Sequence, residues 1–181
     1  LIRQRLQGWL VSLGEEIGAA AALAALMAGH DIDDLQAEAC KHFRYISFEK
    51  VSKKAMVTEA ATLAGNSKVE HSLYEQTMQG LFGEVDAFIS HSWHDDAEAK
   101  FEALGFWCRD FKAAKGREPK LWNDKYCIDQ RSLAMNLRCL PVFLAGCDSL
   151  VIFWGPTYHE RLWCVVELFV FLTMGGNTEN I

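Results

Sequence analysis

The chain has 181 residues, half of them hydrophobic and 23% charged. That fits one globular domain, at roughly 100–200 residues per domain, and excludes global disorder, which requires a composition poor in apolar residues. The net charge of −6 argues against a general nucleic-acid binder, which carries a basic face.

The six cysteines include no C-x-x-C pair and no zinc-finger spacing. No basic segment precedes an apolar run with a small-residue cleavage site. Reduced thiols and a cytoplasmic location are therefore expected. The apolar run 17–28 falls short of the roughly 20 residues a membrane helix needs, so no membrane span is expected.

Up to Gly83 the pattern reads as helical. Ile2, Leu6, Trp9, Leu10, Leu13 and Ile17 recur at the spacing of one helix face. Gly29 is a stop, and Asp31 to Asp34 offer caps for a second helix bearing Leu35, Ala39 and Phe43. A third helix is expected over 48–63, ended by Gly65-Asn66, with a connector after it. Residues 1–83 thus read as a helical N-terminal extension and 84–181 as a separate α/β domain.

From Glu84 onward strand and helix signals alternate. The run 85–90 is a short apolar strand, followed by the polar loop His91-Ser92-Trp93-His94-Asp95-Asp96. Asp95 or Asp96 caps a helix over 97–115, with Phe101, Leu104, Trp107, Cys108 and Phe111 on one face and Gly116 as its stop. A second strand follows Pro119 at 120–124, then a loop at 125–131 and a helix at 132–146. A third strand at 149–154 is broken by Gly155-Pro156, and a last helix runs over 159–174. Nearly continuous apolar strands alternating with helices imply a parallel sheet covered on both faces. The strands 85–90, 120–124 and 149–154 should be adjacent and parallel, with the first in the middle. Function in such sheets sits at the carboxyl ends of the strands, which brings 90–96, 124–130 and 155–158 to one rim.

Several chemistries lack their signatures. There is no G-x-G-x-x-G, no phosphate-binding G-x-x-x-x-G-K-[ST] and no G-x-S-x-G. The third strand ends in Trp154-Gly155, not in the Asp a phosphoacceptor needs. His91, His94, Asp95 and Asp96 read as rim histidines and helix caps, not metal ligands, so no metal is expected. Cys127 lacks an activating histidine. Glu167 is the informative carboxylate. It lies in an otherwise apolar helix, where burial is costly unless the group is paired or meets a wet cavity. Either it faces a ligand beside Trp163, four residues away, or it pairs with Arg161, Arg138 or Lys125.

Two segments carry a family resemblance. Val85-Asp86-Ala87-Phe88-Ile89-Ser90-His91-Ser92 followed by Asp95 resembles the opening strand and loop of Toll/interleukin receptor (TIR) domains. Thr157-Tyr158 through Leu162-Trp163-Cys164-Val165-Val166-Glu167-Leu168 resembles their W-C-x-x-E-L helix, with Arg161 where a Ser is usual. The stretch 84–176 is similar to a TIR-like group of microbial eukaryotes. The resemblance implies a flavodoxin-like three-layer α/β fold with a parallel sheet, abbreviated at its C-terminal side. It implies cleavage of NAD, as substrate and not cofactor, at the nicotinamide–ribose bond, with Glu167 as the catalytic carboxylate. Ser90, His91, Ser92, Trp93, Asp124 and Trp163 would line the nucleotide site. It also implies the alternative of a non-catalytic signalling module that works through contacts with itself or other TIR-like domains.

Overall fold

The computed structural model describes residues 32–57, 73–173 and 176–181. The helix expected from Ile2, the run 17–28, its stop at Gly29 and the helix end at Gly65-Asn66 lie outside them. In chain order the elements are α1 (Ile32–His42), β1 (Arg44–Ser47), α2 (Lys53–Val57), β2 (Met78–Gln79), β3 (Val85–His91), α3 (Ala97–Lys115), β4 (Lys120–Trp122), α4 (Asp124–Cys127), α5 (Leu133–Ala145), β5 (Cys147–Phe153) and α6 (Leu162–Thr173).

The five strands form one mixed sheet in the order β2-β1-β4-β3-β5. The expected parallel centre is present: β3 lies between β4 and β5 and is parallel to both, with Phe88 opposite Trp122 and Ser90 opposite Ile152. The extension expected to be helical departs from that reading. Its residues Arg44–Ser47 pair antiparallel with β4, Ile46 opposite Leu121, and Met78–Gln79 extend the same sheet beyond them. Four residues are too few for a periodic signal, and β1 is fixed by pairing and by the complete burial of Ile46. The helix expected over 48–63 is, within the described residues, a single 3-10 turn at Phe48–Lys50 followed by α2.

All seven residues of β3 are buried, as a central strand with both faces covered requires. Side chains alternate between faces, so Phe88 and Ser90 share one. Phe88 stacks on Trp122 with ring centroids 4.3 Å apart, and Trp122 meets Phe143 of α5. Phe143 in turn stacks on Phe43, which touches Phe82. This aromatic row packs α1 and α5 against the sheet, and α6 packs on α5. Asp86 and Arg117 pair at the amino ends of the strands. Arg117 donates through both terminal nitrogens to the Asp86 carboxylate at 2.6 and 2.7 Å, and the Lys120 amide adds a third bond at 2.8 Å.

The caps of α3 follow the sequence. Asp96 accepts from the amides of Glu98 and Ala99, and Gly116 takes the left-handed φ of 71° that ends the helix. Lys100, Leu104 and Cys108 form its buried stripe. Among the described residues no helix is long and apolar enough to cross a membrane.

All six cysteines are unpaired, Cys40 exposed and the other five buried. Burial pushes the Cys108 and Cys127 thiols up to about 12 and the Cys139 thiol up to about 11. Reaction of the native protein with a chromogenic disulfide at pH 8 is expected to titrate one thiol rapidly, Cys40, and all six only after denaturation. Rapid modification of Cys127 would contradict this arrangement.

Candidate functional site at the carboxyl ends of the parallel strands

The loops following β3, β4 and β5 converge at one rim, where buried polar groups concentrate. Ser90, the penultimate residue of β3, is 1% exposed, and its hydroxyl is hydrogen-bonded to Glu167 Oε2 at 2.5 Å. Its oxygen is also 2.7 Å from the hydroxyl of Tyr158, itself 1% exposed, in the 3-10 turn that follows β5. The two face each other because Ser90 shares the Phe88 side of the sheet, on which α6 turns Cys164, Glu167, Val170 and Phe171 inward.

Glu167 is 8% exposed. Burial raises its carboxyl to about 8, the Ser90 hydrogen bond opposes that rise, and the nearby Asp124 charge adds to it. No cation pairs with Glu167 among the described residues, so the ion-pair alternative with Arg161, Arg138 or Lys125 is not the arrangement formed. The partner is a hydroxyl.

A second group lies beside the first. His91 ends β3, and its Nε2 stands 3.4 Å from Asp124 Oδ1 at the start of α4. Neither ring nitrogen of His91 has an aligned hydrogen-bond partner. Burial pushes the Asp124 carboxyl up, but the proximity of His91 and the donors around it, the Lys125 amide and the Trp93 indole, outweigh that and hold it below its ordinary value. The Trp93 ring is 39% exposed, lies against His91 at 5.3 Å, and has the Lys125 ammonium 5.0 Å from its centre. Asn123 caps the Lys125 amide, while its own Nδ2 is buried without a partner.

A third cluster ties two loops together. Asp95 Oδ1 accepts from both the amide and the hydroxyl of Thr157, at 3.0 and 2.9 Å. Ser92 and Thr157 hydroxyls meet at 2.6 Å, and Lys100 reaches up from α3 to donate to the Ser92 carbonyl at 2.6 Å. Asp96 alone therefore caps α3, and Asp95 clasps the β3 loop to the β5 loop. Gly155 permits this approach: a Cβ there would lie 2.2 Å from Asp95 Oδ2. Gly155→Ala is expected to cost about 1–3 kcal/mol, as overpacking does, read as a lowered melting temperature. An unchanged melt would mean that the clasp yields freely.

The rim thus joins Ser90, His91, Trp93, Asp124 and Glu167 in one neighbourhood, with Ser92 at its edge. Trp163 differs: it is 45% exposed in the first turn of α6, and the residue that accompanies Glu167 inward is Cys164, whose thiol donates to the His91 carbonyl at 3.4 Å. His94 is exposed, and among the described residues no group of three His, Cys, Asp or Glu is arranged to hold a metal ion. Three contributors went unselected in the sequence. Tyr158 stood within a motif and at the end of the rim loop 155–158, without a role of its own. Lys100 carried a signal, since a lysine at i, i+4 and i+8 with Leu104 and Cys108 sits on a buried stripe. Asp95 was read as a possible cap and as part of the opening motif, not as a link between two loops.

Comparison of the chain with protein-family models, with curated proteins and with solved structures returns no match. The functional reading therefore rests on the residues themselves.

Proposed function

We propose that this chain is a TIR-like NAD glycohydrolase in which Glu167 is the catalytic carboxylate. The observation that carries the reading is a buried glutamate at the carboxyl ends of three parallel strands, hydrogen-bonded to the serine of the first. In the reaction the bond between the ribose C1′ and the pyridinium nitrogen breaks, and its electron pair returns to the ring. Nicotinamide leaves neutral, so no general acid is required. Water adds to C1′ and releases one proton to solvent, which balances the positive charge the pyridinium brought. The sugar passes through an oxocarbenium-like state, as in other glycoside hydrolysis, which an adjacent carboxylate stabilises electrostatically.

Glu167 suits that charge sequence. Held largely neutral at rest by burial, it ionises when a cationic ring enters beside it, because an opposite charge favours the charged form. Trp93 and Trp163, both partly exposed, offer aromatic faces for a planar ring. The test is nicotinamide release from NAD by purified protein, dilute and at high concentration. Release in either condition supports the reading, and none in both overturns it.

One observation favours a non-catalytic module that works by self-association. Leu162, Val165, Phe169 and Leu172 form an exposed apolar stripe on the side of α6 opposite its buried face. Such a stripe is larger than scattered surface apolar residues explain. Sedimentation over a hundredfold range of concentration distinguishes this reading: Phe169→Asp should abolish any association through the stripe.

A further inference from the structure

We infer that Tyr158 is a positioning residue for the Glu167 carboxyl, acting through Ser90 in a hydrogen-bond chain whose proton order reverses when the carboxyl changes charge. The chain links three elements. Glu167 Oε2 lies 2.5 Å from Ser90 Oγ, Ser90 Oγ lies 2.7 Å from the Tyr158 hydroxyl, and that hydroxyl lies 3.4 Å from the carbonyl of Cys164, in the same helix as Glu167.

Each hydroxyl has one proton to give and lone pairs to accept with, so only two complete arrangements exist. With Glu167 ionised, Tyr158 donates to Ser90 and Ser90 donates to the carboxylate. The Cys164 carbonyl then keeps only its place in the helix. With Glu167 neutral, the carboxyl donates to Ser90, Ser90 donates to Tyr158, and Tyr158 donates to the Cys164 carbonyl. The first arrangement has fewer bonds, but they are charge-assisted and stronger. Both are satisfied at the same heavy-atom positions, so the carboxyl gains or loses its charge without moving. A group whose charge must appear as a ligand arrives is held by this chain in either state.

The groups that bear on Glu167 come from each neighbouring element. From β3 come Ser90 and, one residue on, His91. From α4 comes Asp124, whose charge disfavours ionisation of Glu167. From the turn after β5 comes Tyr158, and from α6 comes Cys164, whose thiol burial pushes up to about 11. Lys100 of α3 and Lys125 of α4 bear on Asp124. Of these, only the Ser90 hydroxyl makes a direct hydrogen bond to the carboxyl that favours its ionised form.

The test reads the carboxyl directly. Protein labelled with carbon-13 at glutamate side-chain carboxyls is titrated by NMR, the Glu167 signal being assigned by its loss in Glu167→Gln. Ser90→Ala should raise the Glu167 midpoint by about one pH unit, since a donor to the charged form is lost. Tyr158→Phe should raise it by roughly half a unit, through weaker polarisation of the same donor. The double variant should match Ser90→Ala alone, the non-additivity of residues that act in series. A Tyr158→Phe midpoint equal to the parent's would overturn the inference. So would an equal increment from Tyr158→Phe in the parent and in Ser90→Ala, because tyrosine would then act independently of serine. If Ser90→Ala does not fold, Ser90→Cys, similar in shape and a weaker donor, takes its place. The inference does not rest on NAD cleavage, so a protein inert toward NAD leaves these outcomes as decisive as before.

Discussion

Glu167→Gln is expected to lower NAD cleavage by about a hundredfold or more, in line with the loss of one electrostatic stabiliser of the transition state. The amide keeps the size of the side chain and its ability to accept from Ser90, so nucleotide affinity should change far less than turnover. The pH profile of the parent supplies the second half of the result. In the proposed reaction the carboxylate is the working form, and burial holds its conjugate acid to about pH 8. kcat/KM reports groups of the free enzyme, so it should climb about tenfold per pH unit below that value and level off above it. A profile flat from pH 6 to 9 in an active parent would show that Glu167 is not the group that must ionise.

The same carboxyl makes a thermodynamic prediction independent of any substrate. Its folded pKa of about 8 lies above the ordinary glutamate value of 4.5. Below pH 4.5 both folded and unfolded chains carry the proton, and Glu167 makes stability neither rise nor fall. Between 4.5 and 8 the unfolded chain has released the proton and the folded chain holds it, so stability falls as pH rises. Above 8 the loss is complete, and for a nearly buried group it is on the order of 3–5 kcal/mol. Glu167→Gln removes this term. The variant should melt higher than the parent at pH 8.5, by about 5 °C or more for a chain of this size, and close to it at pH 4.5. A difference between variant and parent that does not change with pH would mean that the carboxyl is well solvated.

The parallel centre of the sheet was legible because three apolar runs stood between unmistakable breakers. Gly116, Pro119 and Gly155 bound β4 and β5 in sequence as they do in space. The approach of Ser90 to Asp124 followed from that topology, whereas Glu167 was brought to the same rim by its helix spacing from Trp163 and by the family resemblance. What escaped was decided by partners distant in sequence. Arg44–Ser47 is a strand only because β4 lies beside it. Asp95 differs from Asp96 only because Thr157 is in reach of it. The exposure of Trp163 reflects its place along α6, at the rim, and not its angle around the helix, which is all that spacing reveals. The NAD-cleaving role and the kinship to TIR domains remain proposals carried by Glu167 and its motif.

The clasp between Asp95 and Thr157 has a mechanical consequence. With Gly155 closed upon the same carboxylate, the two loops are geared to one another, and a displacement of either drags the other. Entry to the rim between them is then a concerted event in which Trp93 and Thr157, carried by opposite loops, shift together or stay put together. Spectroscopic probes attached to each loop should report a single relaxation rate, whichever loop carries the label.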